Sequence, residues 1–122
     1  MKYLLILIGG GAGSLARYLA SSAIMGRYGG RFPFGTLVIN VTGSFVIGVL
    51  MTIISERTQI NPKWRPLLVI GFLGGYTTFS SFEWETFWAM RHGSPLVGWL
   101  NLVGSVTLGY AAVWLGALVS RR

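Results

Sequence analysis

The chain has 122 residues, of which 52% are hydrophobic and only 11% charged, a balance that belongs to membrane proteins rather than soluble single domains. Ten Lys and Arg stand against three acids, Glu56, Glu83 and Glu85, for a net charge of +7. The cations are scattered one or two at a time and form no stripe that would track a phosphate backbone, which argues against nucleic acid as a partner. One His, no Cys and no Asp argue against catalytic triads and His- or thiolate-based metal sites, and with them against an enzyme.

Four long apolar segments, near residues 3–25, 34–54, 65–90 and 96–119, each reach the roughly 20 residues that a helix needs to cross about 30 Å of hydrocarbon. They predict one all-α transmembrane domain over residues 1–122. Lys2 and the apolar run after it imitate a secretory signal. The apolar character continues to Met25 and three more spans follow, so a retained first helix is expected. Gly11-Ala12-Gly13-Ser14 resembles part of a dinucleotide fingerprint, yet the first acid after it is Glu56, far beyond the spacing of about 20 residues for a ribose-binding carboxylate. Gly9 and Gly13 share one helix face and would let another helix come close. Arg17, well inside this segment, either snorkels to the interface or faces a wet vestibule where its charge attracts anions.

A loop over residues 26–35 carries Arg27, Arg31 and Pro33 at the membrane surface. The second span follows, with Thr36, Asn40 and Ser44 at i, i+4 and i+8, one polar stripe on one face. In the next loop Asn61 is a candidate N-cap, with Pro62 as the first helical residue. The third span contains the most unusual stretch, residues 71–82, Gly-Phe-Leu-Gly-Gly-Tyr-Thr-Thr-Phe-Ser-Ser-Phe. Helix-breaking, hydroxyl-rich sequence at bilayer depth leaves backbone groups that hydrocarbon cannot satisfy, so it survives where it lines a polar pathway or holds an ion. Beyond it, Glu83 and Glu85 are not expected to face lipid. The hinge at residues 91–95 is short, which makes spans three and four antiparallel neighbours. Span four places Asn101, Ser105 and Gly109 on one face.

The chemistry available at membrane depth is therefore a set of uncharged donors: Asn40, Thr77, Thr78, Ser80, Ser81, Asn101 and Ser105. Such groups donate hydrogen bonds without bringing charge, so a small anion could exchange its hydration for them. Taken singly, each is equally well an interhelical staple worth roughly 0.6 kcal/mol; three stripes on three spans favour a shared path. Phe79 and Phe82 are three apart, on one face of a helix beyond the break. They either pack, present positive ring edges to an anion, or present ring faces to a cation.

Residues 35–40, Gly-Thr-Leu-Val-Ile-Asn, together with residues 71–82, four spans and an early Gly-rich helix ending in Arg17, closely resemble the Fluc/CrcB fluoride channel family over essentially the whole chain. The resemblance implies a homodimer of antiparallel protomers with two pores, the third helix broken near its middle, and passive export of fluoride with selection against chloride. It assigns Asn40 to the pore lining, Phe79 and Phe82 to aromatic boxes beside the fluoride sites, and Thr78 and Ser81 to a hydroxyl-bearing wall. It further implies that the backbone carbonyls of Gly74 and Thr77 from both protomers hold a buried structural sodium ion, and that Glu85 is the family's acid beyond the break. The family's polar track falls on Asn101, Ser105 and Gly109. Here the chain departs from members with Tyr at the first position and Ser at the third, since Gly109 offers only backbone.

Passive export is physically sufficient. Fluoride enters as HF, dissociates and is trapped, and a negative-inside potential favours anion exit by about 2.3 kcal/mol per charge per 100 mV. With the N-terminus inside, six cations lie inside and three outside, a modest bias towards one orientation, whereas the resemblance implies insertion both ways and a bacterial inner membrane. The competing function is a proton-coupled exporter of the small multidrug type. Its chemistry needs a membrane-embedded carboxylate, usually in the first span, where this chain has Arg17.

Overall fold

The computed structural model describes residues 1–121. Every regular element among them is helical: α1 (Lys2–Tyr28), α2 (Phe34–Glu56), a π-helical segment (Arg65–Leu73) that runs on through one turn, α3 (Gly74–Tyr76), then α4 (Ser80–His92) and α5 (Pro95–Ser120). Three of these, α1, α2 and α5, are long and apolar enough to cross a membrane. The third predicted span is divided into pieces of 9, 3 and 13 residues.

The long helices pack by removing side chains from their contacts. A Cβ on Gly9 or Gly13 of α1 would collide with the carbonyl oxygens of Leu67 and Phe72 in the π-helical segment. On the other side of the bundle α2 and α5 exchange the same contact. A Cβ on Gly48 would strike the Val113 carbonyl, and one on Gly116 the Phe45 carbonyl. In lipid no hydrophobic force drives helices together, so this close backbone approach, with its dispersion energy, holds the pairs. A widened i→i+5 helix where α1 presses most closely is consistent with the habit of π-helical turns to occur at functional sites.

α4 runs back along α5 after the two-residue hinge Gly93-Ser94. Its far end carries an exposed aromatic row, Trp84, Phe87, Trp88 and His92, with Trp88 and His92 stacked at 4.0 Å. Such a row is what a membrane–water boundary accommodates. The helix of the third segment begins at Arg65, three residues after the Pro62 start that an Asn61 cap implies. Asn61 does not cap a helix at Pro62; its side-chain oxygen accepts the Lys63 N–H at 3.0 Å, and its carbonyl the Trp64 N–H at 3.1 Å. The chain turns there, and the helix starts at Arg65 with Pro66 in its first turn.

Candidate ion pathway

The irregular backbone is narrower than residues 71–82. Gly71 to Tyr76 are helical and so are Ser80 to Phe82, which leaves Thr77, Thr78 and Phe79 as the departure. Thr77 turns to extended geometry, φ −83° and ψ 155°. Its own N–H and hydroxyl both donate to the Leu73 carbonyl, at 2.9 and 2.8 Å, and close the preceding helix. Gly71 and Gly75 serve tight packing: a Cβ on Gly75 would meet the Gly10 carbonyl, and one on Gly71 the Gly9 backbone.

Asn40 of α2 replaces the helical partners of the next residue. Its Nδ2 donates to the Thr78 carbonyl and its Oδ1 accepts the Thr78 N–H, both at 2.8 Å. One amide thus satisfies both backbone groups of Thr78 through two separate atoms, which an ionised carboxylate, an acceptor only, cannot do. The Thr78 hydroxyl in turn accepts the Ser81 N–H at 3.3 Å and occupies one of the orphan donors at the start of α4.

These two diversions have a consequence for the carbonyls. In a continuous helix the N–H of Thr78 would bond to Gly74 and that of Ser81 to Thr77. Both donors go elsewhere, so the carbonyls of Gly74 and Thr77 lose their helical partners. Gly74 is exposed. An open cavity of about 350 Å³ adjoins it, lined by Asn40, Gly43, Ser44, Thr77, Thr78 and Phe79 among others.

Phe79 lies just outside α4 and not on it. Its ring is nonetheless beside that of Phe82, centroids 5.9 Å apart and planes 54° from parallel. The two differ sharply in environment: Phe79 is 74% exposed and Phe82 only 5%. A second cavity of about 350 Å³ brings together Arg17, Ser14, Ser21, Thr36, Thr78, Ser81 and Glu85. Arg17 lies in the wall of this cavity. No ion pair joins it to Glu85; the Arg121–Glu56 bridge at 3.1 Å is the one salt bridge among the described residues. Glu85 instead accepts the Thr36 hydroxyl on Oε1 at 2.8 Å, and its Oε2 is buried without a partner.

The span-four residues sit differently. Asn101 has no exposed surface, and its Nδ2 donates to the Thr86 hydroxyl oxygen at 2.9 Å. Ser105 donates to Asn101 Oδ1 at 3.2 Å. Gly109 faces Ser44 of α2, whose hydroxyl would lie 3.6 Å from a Cβ there. The sequence reading omitted Thr86 and the α1 hydroxyls Ser14 and Ser21. The i, i+3 and i+7 spacing of Ser14, Arg17 and Ser21 is a readable signal of one face, whereas Thr86 shares its face of α4 with Phe82, four residues earlier, and no polar stripe marks it.

The family model described as "CrcB-like protein, Camphor Resistance (CrcB)" matches residues 4–117. Among curated relatives, the fluoride-specific ion channel FluC of Solibacter usitatus is 65% identical over 122 residues, covering all of both chains. The FluC of Acidobacterium capsulatum is 47% identical over 122 residues, all of this chain and 98% of that one, and that of Coxiella burnetii (strain CbuK_Q154) is 50% identical over 123, all of this chain and 99% of that one. A match that spans the π-helical segment, the Thr77–Phe79 interruption, Asn40 and Asn101 at once is not a likeness of composition, and the chain belongs to the CrcB family.

Proposed function

We propose that this chain is a fluoride-selective channel that releases cytoplasmic fluoride passively down its electrochemical gradient. The observation that carries the reading is the interruption at Thr77–Phe79. It is held by a neutral amide from α2 and flanked by a polar chamber and a ring left three-quarters exposed. Relatives covering the same full length are named fluoride-specific channels.

In this reading fluoride enters the chamber beside Arg17, and then passes the wall made by Asn40, Thr78 and Ser81 and the rings of Phe79 and Phe82. Asn101 and Ser105 form a second layer behind Phe82. Neutral donors suit a small, strongly accepting halide, and the larger and weaker acceptor chloride gains less from the same groups. Fluoride needs no energy source beyond the membrane potential to leave.

The functional unit is a homodimer of antiparallel protomers, each with four spans, the third broken, in a bacterial inner membrane with insertion both ways. Its support is the exposed Phe79, the open cavity beside it and two backbone carbonyls without helical donors. At bilayer depth such groups need protein or an ion to satisfy them, and a second copy provides both an apolar cover and a matching pair of carbonyls. The donor set fits a sodium ion: backbone carbonyls of Gly74 and Thr77 from each copy are hard, neutral oxygen ligands of the kind that unwound membrane helices offer to Na+. When bound, the ion would supply a fixed positive charge facing the negative ends of those carbonyl dipoles.

Purified protein in liposomes under a valinomycin-imposed potassium gradient tests the function directly. Rapid fluoride release with negligible chloride release is expected. Vesicles that hold fluoride despite folded, assembled protein overturn the reading, and proton movement driven by a drug cation would point to the exporter.

A further inference from the structure

We propose that Thr86 is a positioning residue for conduction, acting through Phe82 by means of a directional hydrogen-bond chain from α5. The proposal rests on the channel reading above.

The direction of the chain follows from counting protons. The Thr86 hydroxyl lies 2.8 Å from the Phe82 carbonyl oxygen and 2.9 Å from the Asn101 side-chain amide. A carbonyl only accepts, and a hydroxyl has one proton, so that proton goes to Phe82. The partner on the other side of the Thr86 oxygen must then donate, which orients the Asn101 amide with Nδ2 towards Thr86 and Oδ1 towards Ser105. Ser105, 3.2 Å from Oδ1, must donate its own proton there. Three links thus run one way, from Ser105 to Asn101 to Thr86 to the backbone of Phe82. Thr86, Asn101 and Phe82 are all buried, so water does not replace the two links that join them, and each buried group left unpaired carries its full desolvation cost.

The chain ends where positioning is needed. Phe82 lies in the first turn of α4, directly after the interruption. The start of a helix is its most weakly held part, because its first N–H groups have no helical partners and it frays. Asn40 holds the approach to that turn from the α2 side, at Thr78. Thr86 and Asn101 hold its exit from the α5 side. Between the two anchors lie the paired rings of Phe79 and Phe82. In consequence the Ser105 hydroxyl and that of Thr86 have no proton to give a passing anion while the chain is intact; their effect on fluoride is exerted through the placement of the Phe82 ring.

The test uses full-length protein in liposomes, with fluoride efflux measured beside the elution profile of the assembled protein. Thr86→Val keeps the shape and removes the donor; efflux is expected to fall about tenfold, with assembly retained. Thr86→Ser restores the hydroxyl and should recover efflux to within about threefold of the original protein. In a Phe82→Ile background the Val substitution should add no further loss, because its effect travels through that ring. Original-level efflux in Thr86→Val, no recovery in Thr86→Ser, or losses that multiply in the double variant each overturn the proposal. If Thr86→Val does not assemble, Asn101→Leu removes the middle link from the other helix and carries the same expectation, and unchanged efflux there is equally fatal. Fluoride-tight vesicles with the unsubstituted chain would sink the channel reading itself, a separate result.

Discussion

The α2–α5 pair and the third span solve the same problem, a polar backbone in hydrocarbon, in opposite ways. Along α2 and α5 the backbone bonds within each helix. Gly48 and Gly116 let each helix rest on a carbonyl of the other, at Val113 and Phe45, and the pair needs nothing from outside. At Thr77–Phe79 the helix stops, and its stranded groups are met one at a time, by Leu73, by Asn40 and by the Thr78 hydroxyl. The carbonyls of Gly74 and Thr77 lose their helical donors in the process. The difference separates scaffold from site: damage to the first region should appear as loss of assembled protein, and damage to the second as loss of flux.

The largest effect is expected where the scaffold has no slack. Gly116→Val places a branched side chain against the Phe45 carbonyl, an obstacle that cannot rotate away. Ordinary overpacking costs about 1–3 kcal/mol, and here α2 and α5 must separate to accommodate it. Little monodisperse protein should survive in detergent, and a well-folded variant would show that the two helices are not locked by this contact.

Asn40→Asp should follow, with the opposite signature. The carboxylate no longer donates to the Thr78 carbonyl, and on the proposed pathway its charge repels a passing anion. Efflux should drop more than about tenfold, a barrier increase above about 1.4 kcal/mol, while assembly persists. Original-level efflux would remove Asn40 from the pathway. Phe82→Ile is expected to suppress flux through loss of the ring with folding and assembly retained, since Ile still fills a buried apolar position; a variant that assembles and conducts as before would leave the ring without a role in permeation.

The smallest effect is at the surface. Arg121 and Glu56 form their bridge with side chains 64% and 49% exposed, so Glu56→Gln should change thermal stability by no more than about 1 kcal/mol and leave efflux alone. A larger loss measured by thermal unfolding would mean that the ends of α2 and α5 contribute to the scaffold as much as their glycine contacts.

Much of this was legible in the residues. The apolar lengths that predict spans at 3–25, 34–54 and 96–119 correspond to helices at 2–28, 34–56 and 95–120, because a run of apolar residues long enough to cross hydrocarbon can satisfy its backbone only by becoming a helix. The 71–82 stretch announced irregular backbone, and the stripe of Thr36, Asn40 and Ser44 announced one polar face of α2, of which Asn40 bonds to it at Thr78. Periodicity also shows which residues share a side of one helix.

What it could not contain is which groups meet across helices. Glycine, Thr and Phe are all compatible with a helix, so residues 71–82 did not reveal that only Thr77 to Phe79 leave it; that was decided when Asn40 supplied an alternative partner for the Thr78 peptide. Asn40 and Asn101 look alike as neutral donors in apolar helices, yet one faces an open cavity and the other has no exposed surface. Thr86, with no stripe to mark it, gained its place only because α4 folds back on α5. Sequence by itself determined where the chain must be helical and where it must be polar, since both follow from local hydrogen bonding in a medium without water. The pairing of each polar group was settled by tertiary contact, because a single proton can be given to only one of several acceptors and three-dimensional proximity chooses which.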